Sequence, residues 1–292
     1  MRREQRAMRR RYGPVLTVLG SAVVCLLCIS TARTPAFAQV PQPPPGPAAP
    51  PPQREHLPYD PTKEPAFRGE EDLRRGAEGL RQGQSPFPQI AKQVGPGLYQ
   101  LGTIALDLNV RRATIPGRIN MTQGIVEYLA VMDRRGKLHE SVLALDVQPS
   151  LVQLALILLG LEQSEWAPPK PGPPQPPTIT SPGDPLLLWV EWERNGKKER
   201  VPAETLVFNR ETQKPPEGNR WHFSGSFFSR RGFAADMTGS LVATFFDLRA
   251  IINTSAQAAN PYRGPNLGYE VNAKLVPPVD TPIRFVMEPA PK

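Results

Sequence analysis

Ile125-Val126-Glu127-Tyr128-Leu129-Ala130-Val131-Met132, then Asp133-Arg134-Arg135-Gly136, then Lys137 to Leu145, is the stretch on which the fold turns. Two apolar, β-rich runs separated by four residues ending in glycine read as strand, tight turn, strand. Gly136 is placed to take the left-handed conformation of a bulged hairpin. In that register Val131 lies opposite His139, and Leu129 lies opposite Ser141. Neighbours along a strand point to opposite faces, so His139 and Ser141 share one side with Glu127 while Glu140 takes the other.

Immediately beyond, Val147 to Leu161 carries Pro149, suited to a first helical position, and Gly160, suited to a C-terminal cap. Leu151, Val152 and the run Leu154 to Leu159 leave almost no polar face. The pattern predicts a buried apolar helix over about 149–159, too short to cross a bilayer, which takes ~20 residues. Farther on, Leu186 to Arg194, Asn195-Gly196 and Lys197 to Val201 form a type I′ hairpin signal. Strand candidates follow at Trp221 to Phe228, Gly232 to Asp236, Leu241 to Phe246 and Pro282 to Met287, with a short aspartate-capped helical turn at Asp247 to Ile252. The sum is an α+β domain of antiparallel hairpins, with one buried apolar helix and one or two short ones.

Toward the N-terminus the character changes. Residues 2 to 11 hold six arginines, and Val15 to Ile29 is apolar or small and uncharged, ending before Ala36-Phe37-Ala38. That is a signal peptide over residues 1–38, cleaved after Ala38 and serving a Sec-type route to the periplasm or cell envelope. A retained signal anchor is the alternative, and it is the one way this chain would touch a membrane. From Gln39 to Pro61 ten residues are proline, and Thr62 to Gln84 is charged and poor in large apolar residues, so 39–90 reads as a disordered stalk. The globular domain then spans 91–290, interrupted by a loop at 168–185 that holds nine prolines.

Export changes the chemistry available. Cys25 and Cys28 lie in the removed segment, so the mature chain has no disulfide, thiolate metal site, iron–sulfur cluster or cysteine nucleophile, and no cofactor is expected. The signal also holds seven of the 35 Lys and Arg and one of the 27 Asp and Glu, leaving 28 against 26. The whole-chain charge of +8 is therefore mostly the signal's, and it argues for no nucleic-acid partner.

Several segments carry a family resemblance. Asn120 to Leu129, Gly136 to Leu143, Leu158-Leu159-Gly160-Leu161, Val190-Glu191-Trp192, Val201 to Glu204, Trp221 to Ser226 and Ala235 to Leu241 are similar to the YdjY-domain family of exported bacterial proteins. The resemblance covers nearly all of residues 90 to 290. Some members are labelled ferredoxin-like, which implies an iron–sulfur role, and this chain departs from that label because its mature part lacks cysteine. The resemblance carries over no catalytic residue.

Candidate chemistry is sparse. His139, Ser141 and Glu127 on one face are the catalytic candidates, against the plainer reading that they satisfy hydrogen bonds under packed loops. His139, His222 and Glu127 are the metal-ligand candidates, though neither histidine belongs to a metal-binding spacing, and a zinc enzyme normally uses three protein ligands. Trp189, Trp192, Trp221 and Arg194 are the ligand-binding candidates, and burial decides between a recognition face and core. The favoured reading is an exported binding or structural module for an envelope protein, peptide or glycan. The alternative is a metal-assisted hydrolase using the His139 face.

Overall fold

The computed structural model describes residues 67, 69–82, 91–166, 179–216, 221–229, 231–254 and 268–291. The signal segment, most of the expected stalk, and residues 168–178 of the proline-rich loop lie outside the described residues.

Twelve strands make one sheet: β1 (Ala91–Gly95), β2 (Leu98–Leu101), β3 (Ile104–Asp107), β4 (Arg112–Ile119), β5 (Tyr128–Met132), β6 (Ser141–Leu145), β7 (Pro185–Arg194), β8 (Lys197–Pro202), β9 (Trp221–Phe223), β10 (Ser240–Ala243), β11 (Ile252–Thr254) and β12 (Pro282–Pro289). Eight of them close on themselves in the order β4-β12-β7-β9-β11-β10-β5-β6, with β6 pairing back onto β4. The result is a mostly β, closed eight-stranded barrel, which corrects the α+β hairpin fold that the sequence led us to expect. Closure removes sheet edges within the ring, and the β1–β2–β3 meander and β8 branch off it.

The deciding stretch is where the expectation fails. β5 and β6 run parallel, with Tyr128 opposite Ser141, Ala130 opposite Leu143 and Met132 opposite Leu145. They are not a hairpin. Every residue of both strands is buried, so neither shows the in–out alternation of a half-solvated antiparallel pair. The chain returns from the end of β5 to the start of β6 through residues 133–140, closing on a 3-10 turn at Leu138–Glu140. Gly136 makes so short a return possible by close approach and not by a left-handed φ. A Cβ there would lie 2.3 Å from the Val131 Cβ and 2.7 Å from the Met132 carbonyl oxygen.

A second short crossover, residues 244–251, joins the parallel pair β10 and β11, with Val242 opposite Ile252. It replaces the helical turn expected at Asp247 to Ile252. Asp247 and Asn253 fix it by reciprocal bonds, Asp247 N–H donating to Asn253 Oδ1 at 2.8 Å and Asn253 Nδ2 donating to the Asp247 carbonyl at 3.0 Å. β5 and β10 are antiparallel neighbours, so the two crossovers lie side by side. Tyr128, Val131, Ala243 and Ala250, with Leu138 and Phe245 against them, form a small apolar cluster apart from the main core.

Three helices, a three-stranded sheet, two two-stranded sheets and a second 3-10 turn at Ala203–Leu206 accompany the large sheet in the described chain. α1 (Glu70–Arg81) falls within the span expected to be stalk, yet Leu73 and Leu80 are buried, the Tyr99 hydroxyl donates to the Leu80 carbonyl, and Arg81 Nη2 donates to the Ile157 carbonyl. A stripe of Leu73, Ala77 and Leu80 suffices to dock it. α2 (Pro149–Leu158) is apolar and almost wholly buried, and it packs on α1, β3 and α3 rather than across a hairpin sheet. α3 (Ala234–Thr238) occupies part of the strand expected at Gly232 to Asp236. Ile125–Val126, Val207–Asn209 and Tyr269–Val271 form a three-stranded antiparallel sheet. Because β5 and β6 are parallel, this sheet, just before β5, and α2, just after β6, sit at opposite ends of the barrel wall.

The Asn195-Gly196 signal holds. Both residues have positive φ, 53° and 74°, as a type I′ turn requires, and Arg194 pairs with Lys197 across it.

Candidate functional site

The His139 face does not assemble. His139 sits in the 3-10 turn with its side chain 80 % exposed, its Nε2 3.9 Å from Glu140 Oε2. Ser141 is fully buried at the start of β6, and its hydroxyl donates to the Lys137 carbonyl at 2.6 Å. A turn of three residues per repeat separates side chains that strand alternation would have put on one side. Glu127, also buried, accepts from Lys137 Nζ at 2.6 Å. His222, half-buried on β9, has Nδ1 2.8 Å from the Gly183 carbonyl oxygen. That oxygen can only accept, so Nδ1 carries the proton. Among the described residues no group of three or more His, Cys, Asp or Glu side chains is placed to hold a metal ion.

What the crossover does assemble is a seat for one ammonium. Lys137 Nζ lies 2.6 Å from Glu127 Oε2 and 2.6 Å from Glu140 Oε1, and 5.3 Å from the centre of the Tyr128 ring. The Tyr128 hydroxyl donates to Asp247 Oδ2 at 2.8 Å, tying the first crossover's strand to the second crossover. Burial pushes the Glu140 carboxyl up, Lys137 opposes this, and the neighbouring Glu127 reinforces it. Burial alone would lower Lys137, but its two carboxylate partners outweigh it and hold the ammonium above its usual range. Burial and then Asp247 raise Tyr128. With both carboxylates engaged and 5 % exposed or less, this is a lock and not a nucleophile with its base. Sequence reading missed Lys137, although its i,i+3 spacing to Glu140 was visible.

The tryptophans separate by burial. Trp192 and Trp221 are core, at 5 % and 2 % exposure, and Trp221 Nε1 donates to Glu204 Oε2 at 3.3 Å. Arg194 lies 5.8 Å from the Trp192 ring centre. Trp189 differs: it is half-buried on the outer face of β7, with the Arg200 guanidinium carbon 4.6 Å from its ring centre.

Around Trp189 runs an ion-pair ladder across β4, β12, β7 and β8. Arg112 Nε lies 2.6 Å from Glu288 Oε1, Arg200 Nη2 donates to both Glu288 oxygens at 3.1 Å, and Glu191 takes Arg284 at 3.1 Å and Arg200 at 3.5 Å. Burial pushes Glu288 up, and Arg112 and Arg200 together more than reverse it, so its carboxyl stands below the usual range. Beside the indole opens a mostly apolar pocket of about 350 Å³, walled by Leu187, Trp189, Pro202, Glu204, Trp221 and Pro291 among others. Glu191, Arg284 and Glu288 alternate with apolar residues along their strands, but the ladder's partners lie on different strands, out of reach of any local pattern.

The family model of the YdjY domain matches residues 104–288. The chain belongs to the YdjY domain family. No curated protein and no solved structure matches it. The YdjY match opens at Ile104, the first residue of β3, and ends one residue short of the end of β12, so it takes in the whole ring of eight strands. α1, β1 and β2 precede the matched YdjY region.

Proposed function

We infer that this YdjY-domain protein is an exported, extracytoplasmic binding module, and that it recognises an envelope peptide, protein or glycan on the outer face around Trp189. The observation that carries the reading is the open, mostly apolar pocket of about 350 Å³ beside the half-buried indole. Binding sites of this kind pair an aromatic wall with a few placed polar groups, and here the Glu204 carboxylate lines the pocket while the Arg200 guanidinium lies over the Trp189 ring. Export rests on the charged and apolar pattern of residues 1–38. The hydrolase alternative loses support because His139 points outward while Ser141 and Glu127 are buried and occupied.

The test is calorimetric titration of the full protein with soluble peptidoglycan fragments, envelope polysaccharides and envelope-protein peptides, repeated with Trp189→Ala and with Lys197→Ala as control. Binding that Trp189→Ala weakens tenfold or more, and that Lys197→Ala leaves alone, supports the site. Binding indifferent to Trp189→Ala moves recognition elsewhere, and turnover of any probe replaces the reading.

A further inference from the structure

We propose that the pocket beside Trp189 seats the basic side chain of a peptide, and that Glu204 is the carboxylate that pairs with it. This rests on the reading that recognition takes place at that pocket. It narrows the ligand from peptide, protein or glycan to a peptide segment bearing lysine or arginine.

The walls suit the stem of such a side chain. β8 ends with Pro202 opposite Trp189, β9 begins with Trp221 opposite Leu186, and the pocket opens where these two strands part along β7. Leu187, 38 % exposed, lines it with Pro202, Ala290 and Pro291. Lysine and arginine lay their methylene stems along apolar surface of this kind while the charged head seeks a polar partner. Among the described residues that line the pocket, Glu204 alone is ionisable.

Glu204 is held in place but not neutralised. Its 3-10 turn is pinned by Thr205, whose hydroxyl donates to the Pro202 carbonyl at 2.6 Å, and by Asn272, whose N–H and Nδ2 donate to the Leu206 and Thr205 carbonyls at 2.8 and 2.9 Å. The half-buried carboxylate accepts the Trp221 indole N–H at 3.3 Å, a single neutral donor for two oxygens, and among the described residues no cation pairs with it. Arg200, over the neighbouring indole, is taken up by Glu288 at 3.1 Å and Glu191 at 3.5 Å. A lone carboxylate in an apolar recess is complementary to an ammonium or guanidinium group and repels an acidic one. A neutral sugar would gain most by stacking on an open indole face, and the Arg200 guanidinium carbon already lies 4.6 Å from the centre of the Trp189 ring.

NMR titration of the full chain tests it, because the Trp221 indole N–H bonded to Glu204 reports on that carboxylate. The probes are a blocked pentapeptide with lysine between two alanine pairs, the same peptide with uncharged norleucine in place of lysine, and triglucosamine as a cationic sugar. The lysine peptide is expected to shift the Trp221 indole resonance and to bind at least tenfold more tightly than either of the others. Glu204→Gln abolishes its advantage over the norleucine peptide. Equal binding of the lysine and norleucine peptides overturns the inference, as does a lysine preference that survives Glu204→Gln, or triglucosamine binding as tightly as the lysine peptide. In each of those cases binding that Trp189→Ala weakens leaves the site itself standing. Binding of no probe, or binding indifferent to Trp189→Ala, removes the site and the inference together.

Discussion

Asp236 and Arg111 hold opposite ends of one helix. Asp236 Oδ1 accepts the Ser150 N–H at 2.7 Å and its Oδ2 accepts Gln148 Nε2 at 3.0 Å, at the start of α2. Arg111 Nε and Nη2 donate to the Leu159 carbonyl at 2.9 and 2.7 Å, at its end. α2 supplies no side-chain cap of its own, no acid in its first turn and no base in its last. An anion and a cation borrowed from α3 and from the β3–β4 turn oppose the helix dipole and satisfy groups that an apolar helix cannot.

Removing either borrowed cap should therefore destabilise the domain although α2 itself is untouched. Arg111→Ala and Asp236→Ala are each expected to cost about 1–2 kcal/mol in denaturant unfolding at pH 7. Asp236→Asn keeps the acceptor for the Ser150 N–H and sheds a charge that burial disfavours, since burial is what raises the Asp236 carboxyl. It should stay within about 0.5 kcal/mol of the parent. An Asn variant as damaged as the Ala variant would place the charge, and not the acceptor, at the centre of the cap.

Gly136→Ala is expected to cost about 1–3 kcal/mol, as overpacking does, because the added methyl would meet the Val131 side chain at 2.3 Å. The cause is crowding and not strain in φ. Val131→Ala would remove the γ-carbon at 2.4 Å but keep the β-carbon at 2.3 Å, and the Met132 carbonyl oxygen stays at 2.7 Å, so it should not rescue Gly136→Ala. A Gly136→Ala variant that melts with the parent would contradict the close approach.

These two sites show where the sequence could be read and where it could not. Asn195-Gly196 specifies its turn through backbone conformation alone, and α2 declares itself by an apolar run between Pro149 and Gly160, so both were legible. Barrel closure was not, because it rests on β4 leaving β3 to pair with β6 at Gly117 to Ile119, a choice no local pattern encodes. The direction of β6 had a readable signal in the unbroken apolar runs Tyr128 to Met132 and Val142 to Leu145, which suit parallel strands buried on both faces. Proximity of the two runs in sequence masked it. α1 was hidden for another reason: its charged surface dominates its composition, and the stripe of Leu73, Ala77 and Leu80 shows only at helical spacing.

Glu288 should respond to pH in the sense opposite to Glu140. Its folded pKa lies below its unfolded one, so the stability it contributes is present above the unfolded value and lost as pH falls through the folded value. The ladder faces solvent, Arg112 being 43 % exposed, and screening keeps each pair under about 1 kcal/mol. Parent and Glu288→Gln unfolding curves should differ near neutral pH, draw together as pH falls below the ordinary carboxyl range, and converge at high salt. A gap that widens in acid would reverse the assignment.

The contrast between Lys137 and its neighbour His139 separates a structural lock from a metal face. Removing the ammonium leaves Glu127 and Glu140 buried without their shared cation, and loss of one partner of a buried pair costs about 3–5 kcal/mol, reduced here because the Lys137 side chain is 47 % exposed. Lys137→Ala should therefore lower stability clearly at pH 7, and less at pH 4.5, because burial raises the Glu140 carboxyl and favours its neutral form in acid. His139, at 80 % exposure, has little packing to lose, so His139→Ala should stay within about 0.5 kcal/mol. A metal bound at a hundred times its dissociation constant would add ~2.7 kcal/mol to the folded state. Zinc, manganese and nickel are expected to leave the melting temperature where it is. A metal-induced rise that His139→Ala and Glu127→Ala both abolish, and that Lys197→Ala keeps, would show that the turn can reorganise into a ligand set and would return the hydrolase reading to consideration.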